Sequence, residues 1–397
     1  MPRLDYHTAG ESHGPCQTVL IQGVPAGLVI DEAFINGELS RRQGGYGRGA
    51  RQKIETDVAE FQAGVRRGRT TGGPIVVRII NKDSRLDDAA KTPPVYRPRP
   101  GHADLAGSLK WLTTDCRDAL ERASARETSG RVAAGAIARL LLREIEVEVF
   151  GFVRSVGEAE TAREVTASNW RELKSARDAS AVYCFDSAVA AKIEEAIRQA
   201  KIDKDTVGGL VETHVFGCPP GLGTCVDWRD RLDARLAYAA MGIQAIKSVE
   251  IGLGKDVSRR PGSKVHDPIE YDANQRETNS VGFVRPTNNA GGIEGGMTNG
   301  APVVVRAAMK PISTLLRGMP SVDLNTKRAE TSAYERSDVC AVPAASVVLE
   351  HVVAFEIARA ALEKYAGDTV MEFREAWRKH LEMARLLPLE PPSATIA

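Results

Sequence analysis

Residues 40–54 read SRRQGGYGRGARQKI and carry Arg41, Arg42, Arg48, Arg51 and Lys53 without a single acid. Guanidinium groups present planar forks that match carboxylate and phosphate oxygens two at a time. Gly44, Gly45, Gly47 and Gly49 are interleaved with them, and glycine lets a backbone come close to a ligand. The chemistry suggested is recognition of a small, multiply charged anion. A solvated basic loop is the plain alternative. An RNA contact is a third reading, since GGYGRGAR resembles an RGG segment. Such segments repeat in low-complexity surroundings, whereas this one occurs once in an otherwise globular sequence.

Other polar clusters point the same way. Residues 97–104, RPRPGHAD, hold Arg99 and His102 in a proline-stiffened loop. Residues 121–128, ERASARET, precede a strongly apolar helical stretch, where an anion site or an ordinary cap would serve equally. His13 lies between glycines in GESHGP, residues 10–15. Imidazole is the natural acid or base near neutral pH, although a lone histidine is more often structural. Residues 287–314 combine Gly291, Gly292, Gly295, Gly296 and Gly300 with Lys310, Ser313 and Thr314. This is either a wrap for a phosphorylated or flat ligand or a glycine-rich turn. Arg336 and Asp338 flank Ser337 before an apolar run, as a site or as a salt bridge. GESHG at 10–14 has the Gly-x-Ser-x-Gly order, which by itself does not make a nucleophile elbow; there is no HExxH, Walker A loop or GxGxxG, and no metal site is expected.

The elements that must position these groups show in the apolar spacing. Helical periodicity predicts helices over 117–145, 228–243, 344–365 and 369–386. β-Branched runs predict strands over 18–22, 75–80, 147–153, 207–216, 248–253 and 303–307. The stretch GGPIVVR at 72–78 is echoed by NGAPVVVR at 299–306, hinting at two related halves that each pair a sheet with helices. Strands and long helices do not alternate as βαβ units, which favours α+β layers. At roughly 150 residues per domain the 397 residues could form two or three units. No linker divides them, so one compact unit over 1–390 is expected, with a frayed tail at 391–397.

Composition excludes several classes. Lys and Arg number 53 against 52 Asp and Glu, a balance unsuited to coating nucleic acid or anionic lipid. No run approaches the ~18 apolar residues of a membrane span, and residues 1–14 lack the apolar core of a secretory signal. Six scattered cysteines without a CxxC pair read as reduced thiols of a cytoplasmic protein.

Taken in order, GESHGP, RRQGGYGRGARQ, RPGHADLAGSLKW, ERASARET, AGGIEGGMTNG, KPIST and RSDVCAVPAA resemble the chorismate synthase family over nearly the whole chain. Gln52 departs from the methionine common there. The resemblance implies a β-α-β sandwich, with long central helices between antiparallel sheets in pseudo-symmetric halves, assembled as a homotetramer. It implies a lyase that eliminates phosphate anti-1,4 from 5-enolpyruvylshikimate 3-phosphate, giving chorismate, the last step of the shikimate pathway to aromatic amino acids. The reaction needs reduced FMN without net redox change; NADPH enters only where flavin reduction is intrinsic, and Arg42 and Arg48 would then touch it.

By the same resemblance Arg42, Arg48, Arg51, Arg99, Arg126 and Arg336 hold the substrate's two carboxylates and phosphate in an arginine cavity without acids. His13 is the acid for the departing phosphate, and His102 sits by the flavin's pyrimidine edge. Asp338, with Ser12 and Ser124 as relays, helps to clear the proton that flavin N5 takes from the ring. FMN contacts carried over are Arg122, Ala123, Ser124, Gln244, Ala245, Gly295, Lys310, Pro311, Ile312, Ser313, Thr314 and Arg336. No nucleic acid or membrane partner is expected. A flavin or NADPH oxidoreductase remains the rival enzyme reading.

Overall fold

The computed structural model describes residues 3–48, 56–335 and 337–387. Its centre is a pair of long helices, Thr128–Arg143 and Val342–Tyr365. Both are apolar on nearly every face, with Val132, Ile137 and Leu141 on one and Val347, Val353 and Ile357 on the other almost wholly buried. A helix apolar all round must be covered on all sides. Two antiparallel sheets provide the cover. Gly135 is the point of closest approach between the helices: a Cβ there would lie 2.4 Å from both Cβ and the carbonyl oxygen of His351. Both helices start at the same end of the sandwich.

The first sheet runs Asp5–Ala9, Cys16–Gln22, Ile75–Ile80, Glu60–Ala63 in spatial order. Val19, Ile21, Ile75, Val77 and Ile79 point inward, while Leu20 and Ile80 on the opposite face are exposed, the period-two alternation of a sheet packed on one side. The second sheet runs Ile246–Ile251, Val303–Met309, Gly209–Phe216, Glu148–Val156, Ala159–Glu160. Its outer face is covered as well, through a cluster of Phe150, Phe152, Trp170, Leu173, Phe185 and Phe216, to which the helix Trp170–Ala179 contributes. The echoed segments become inner strands, one in each sheet.

Two local readings are corrected. The helix expected over 117–145 is broken: Arg117–Arg122 ends, a single 3-10 turn spans Ala125–Glu127, and Thr128–Arg143 begins afresh. Ser124 is extended and its side chain accepts from the Arg126 amide, while the Arg126 guanidinium is pulled to Asp57 and Asn81 at 2.7 Å each. Tertiary ion pairing overrides a continuous helical pattern. Arg41 and Arg42 lie in the last turn of a helix, Glu32–Gln43, rather than in a loop; Asp31 caps its start by accepting from the Phe34 amide. The last helix, Val370–Arg385, opens with a reciprocal Thr369–Glu372 capping box. No described helix is long and apolar enough to cross a membrane.

Candidate active site

A cavity of about 390 Å³ opens where the two central helices begin. Arg42 and Arg48 reach it from the end of Glu32–Gln43 and the loop beyond, and Arg99 and His102 from the proline-stiffened loop. Ser124 and Arg126 come from the break between helices, and Lys310, Ser313 and Thr314 from the turn after Val303–Met309. Ile243, Met309, Ile312, Ala344, Ala345 and Val348 form an apolar wall on the same chamber. The chamber therefore offers both apolar surface for a flat hydrophobic ring and cations for anions.

The cations are not free of acids, which corrects the expectation of an arginine cavity without them. Asp57, fully buried, receives Arg42 and Arg126 at 2.7 Å each. Asp338 pairs with Arg48 at 2.6 Å, and Asp104 with Arg99 at 2.8 Å. Burial opposes ionisation of Asp57, but the two guanidiniums outweigh it and hold its pKa below the usual carboxylate range. Among the described residues four arginines and Lys310 face three carboxylates, an excess of two positive charges. Pairing of this kind lets guanidiniums be buried at all and fixes where their remaining N–H groups point. Burial, then Lys247, pushes the Lys310 pKa down. Its Nζ donates to the Gly101 carbonyl at 2.8 Å and to Ser313 Oγ at 2.9 Å. Gly101 has a φ of +79°, and a Cβ there would lie 3.5 Å from Ser313 Oγ.

Other predicted groups are placed differently. His13 does not line the cavity: it lies one layer behind, next to Ser12, whose hydroxyl meets Ser124 Oγ at 3.1 Å. Its Nδ1 is 2.9 Å from the fully buried Glu121 carboxylate and its Nε2 accepts from Arg85 at 3.1 Å. Ala123, Ser124, Gln244 and Ala245 are on the cavity wall. Gln244 donates to Glu127 at 3.0 Å, and its buried Oε1 has no donor among the described residues. Arg122 turns away to the Thr8 carbonyl at 3.1 Å. Pro311 is exposed between lining residues. Gly295 lies in the turn of the hairpin Ile293–Glu294/Met297–Thr298, apart from the wall. Arg51 and Arg336, like the tail 391–397, lie outside the described residues.

Sequence reasoning missed Asp57, Asp104, Glu121 and Glu127 as partners. Three of them sit inside segments already singled out, RPRPGHAD and ERASARET, so their proximity was visible; Asp57 carried no local signal. All six cysteines are free thiols, and burial pushes Cys184 and Cys340 up to about 11 and Cys218 to about 12. One group of possible metal ligands exists among the described residues, Glu38, Glu350 and His351. Arg41 and Arg139 already pair with both carboxylates.

Comparison with known proteins gives one answer. A family profile described as chorismate synthase matches residues 4–362. The chain is 50% identical to the chorismate synthase of Geobacter sulfurreducens over 392 residues, covering 96% of this chain and 99% of that one. It is 48% identical to that of Thermoanaerobacter pseudethanolicus, covering 95% and 98%. A solved crystal structure of a chorismate synthase, 36% identical, superposes with a TM-score of 0.79 over 97% of this chain and 99% of the other.

Proposed function

Because this chain belongs to the chorismate synthase family, we propose that its cavity converts 5-enolpyruvylshikimate 3-phosphate to chorismate and phosphate by anti-1,4-elimination, with reduced FMN as a non-consumed cofactor. The observation that carries this reading is a single chamber lined both by apolar side chains and by five partly neutralised cations. Arg42, Arg48, Arg99 and Arg126 bind the substrate's carboxylates and phosphate, each charge-assisted contact contributing about 1.5–3 kcal/mol.

The residues present fit FMN. Lys310, Ser313 and Thr314 suit its phosphate, the unpaired Gln244 Oε1 calls for an N–H or O–H donor, and Ile243 and Met309 suit a flat ring. When bound, reduced flavin supplies an electron-rich ring and a proton-accepting nitrogen. The chain's own groups do the rest. The apolar wall excludes water, and His102, which lines the chamber, would stand at the edge of a bound ring. Asp338 on Arg48 stands ready to take a proton onward. Ser124 at the wall bonds Ser12 behind it, the chain neighbour of His13, which we assign as the acid for the leaving phosphate; for that role its Nε2, which accepts from Arg85 in the structure, must carry a proton.

Exposed Leu109, Leu112, Trp228 and Tyr238 support burial of these surfaces in a homotetramer, and we take the enzyme to be cytoplasmic. Anaerobic phosphate release from the enolpyruvyl substrate tests the function. Catalytic reduced FMN should support many turnovers per flavin. One turnover per reduced flavin would instead make the protein an oxidoreductase, and no release with reduced flavin present would end the reading.

A further inference from the structure

Asp104 is the first residue of the helix Asp104–Trp111 and its carboxylate is fully buried. It collects four donors: the Arg99 amide at 3.0 Å, Arg99 Nε at 2.8 Å, Arg99 Nη2 at 3.1 Å, and His102 Nδ1 in a short contact. Burial works against its ionisation, but His102 and Arg99 hold its pKa far below the usual carboxylate range. A carboxylate that stays anionic can only accept, so the proton between it and His102 belongs to Nδ1. Arg99 Nη2 also approaches Nδ1, at 3.0 Å. Two donors cannot bond each other, so that N–H serves the carboxylate instead. His102 lines the cavity, and Nε2 is the ring nitrogen left to it. Arg99 continues the chain, donating from Nη1 to Thr314 Oγ1 at 2.9 Å.

We propose that Asp104 is a positioning residue: it sets the His102 tautomer so that Nε2 is the working nitrogen, and it locks His102, Arg99 and the 310–314 segment into one rigid unit. The proposal rests on the role given to His102 above and names the residue that makes the role possible. The analogous loss of a carboxylate behind a catalytic histidine in serine proteases leaves geometry intact and lowers turnover through the wrong tautomer.

The test uses the full-length protein, first without flavin. Ring-nitrogen NMR on histidine-labelled protein, with His102→Gln to identify its signal among seven histidines, should show Nδ1 protonated in the neutral ring. A wild-type ring protonated at Nε2 would overturn the proposal regardless of how any variant behaves. Asp104→Asn should lose that tautomer preference, and Asp104→Glu should restore it in part; an unchanged tautomer in Asp104→Asn would also overturn it. In the phosphate-release assay Asp104→Asn should lower kcat on the order of 10²-fold, while the Asp104→Asn, His102→Ala double variant should be no slower than His102→Ala alone. Multiplying losses would show two independent roles and reject the coupling. Absence of phosphate release in the wild type would refute the function and leave the NMR result standing.

Discussion

Replacing Asp57 by asparagine preserves the side chain's shape and removes one negative charge from between two buried guanidiniums. Arg42 and Arg126 both lie 2.7 Å from this carboxylate, and both are almost wholly buried. Burial lowers the Arg42 pKa, and Arg126 and Arg48 lower it further, with Asp57 the opposing group. Arginine does not give up its proton, so the variant must bury two like charges without the carboxylate they share. Breaking a buried pair costs about 3–5 kcal/mol; because the amide oxygen can still accept one hydrogen bond, we expect about 3 kcal/mol. A domain is stable by only about 5–15 kcal/mol, so the urea midpoint should fall markedly at fixed protein concentration. The sign with pH follows. Asp57 has a folded pKa below its unfolded value, so its contribution is present above about 4. It is lost as pH falls through the folded value, and the variant should show a shallower acid limb. Inorganic phosphate, a product of the proposed reaction, should stabilise the variant more than the wild type, because Arg42 and Arg126 would have lost the carboxylate they share. A loss below about 1 kcal/mol, with no extra response to phosphate, would refute the reasoning that these arginines are pre-neutralised.

His13→Ala should abolish most turnover while reduced-flavin binding, read from its absorbance, stays near wild type; unaltered turnover would remove His13 from the acid role. Gly101→Ala should cost about 1 kcal/mol in stability through its positive φ, read from urea unfolding, while FMN binding should change little, because the new methyl would only touch Ser313 Oγ and Lys310 Nζ at 3.5 and 3.6 Å; flavin titration checks it. Burial pulls the His351 pKa down to about 4, with its Nδ1 donating to the Val347 carbonyl at 2.7 Å. Its neutral form therefore contributes stability fully above about 6.5, lost as pH falls toward 4. His351→Gln should flatten the stability curve in that window, as urea unfolding at several pH values will show.

Much of the frame was legible because burial writes it into residue types. The strand over 75–80 coincides with Ile75–Ile80, and the helix over 344–365 begins two residues earlier than expected, at Val342. The helix Ser187–Ile202 was also signalled, by the Asp186 cap and by Ala190, Ile193 and Ile197 on one face, yet escaped notice beside stronger apolar runs. Ala123 to Glu127 contain no glycine or proline to announce the break at Ser124; only partners far along the chain, Asp57 and Asn81, explain it. The arginines were recognisable one by one, whereas their counter-charges were not, since a pair such as Arg48–Asp338 joins segments that only folding brings together. His13 is the clearest case of a residue noticed for its type and placed by the structure one layer deeper.

Gly135 has a consequence for how this chain can vary. The two central rods touch where it meets His351, and each residue added to a helix advances it by about 1.5 Å and turns it by about 100°. A residue inserted between Thr128 and Gly135 would therefore swing Ser124 and Arg126 off the chamber, whereas one inserted near Arg143 would displace only the far end. Tolerance to length change should be one-sided along each rod, with the crossing as the divide.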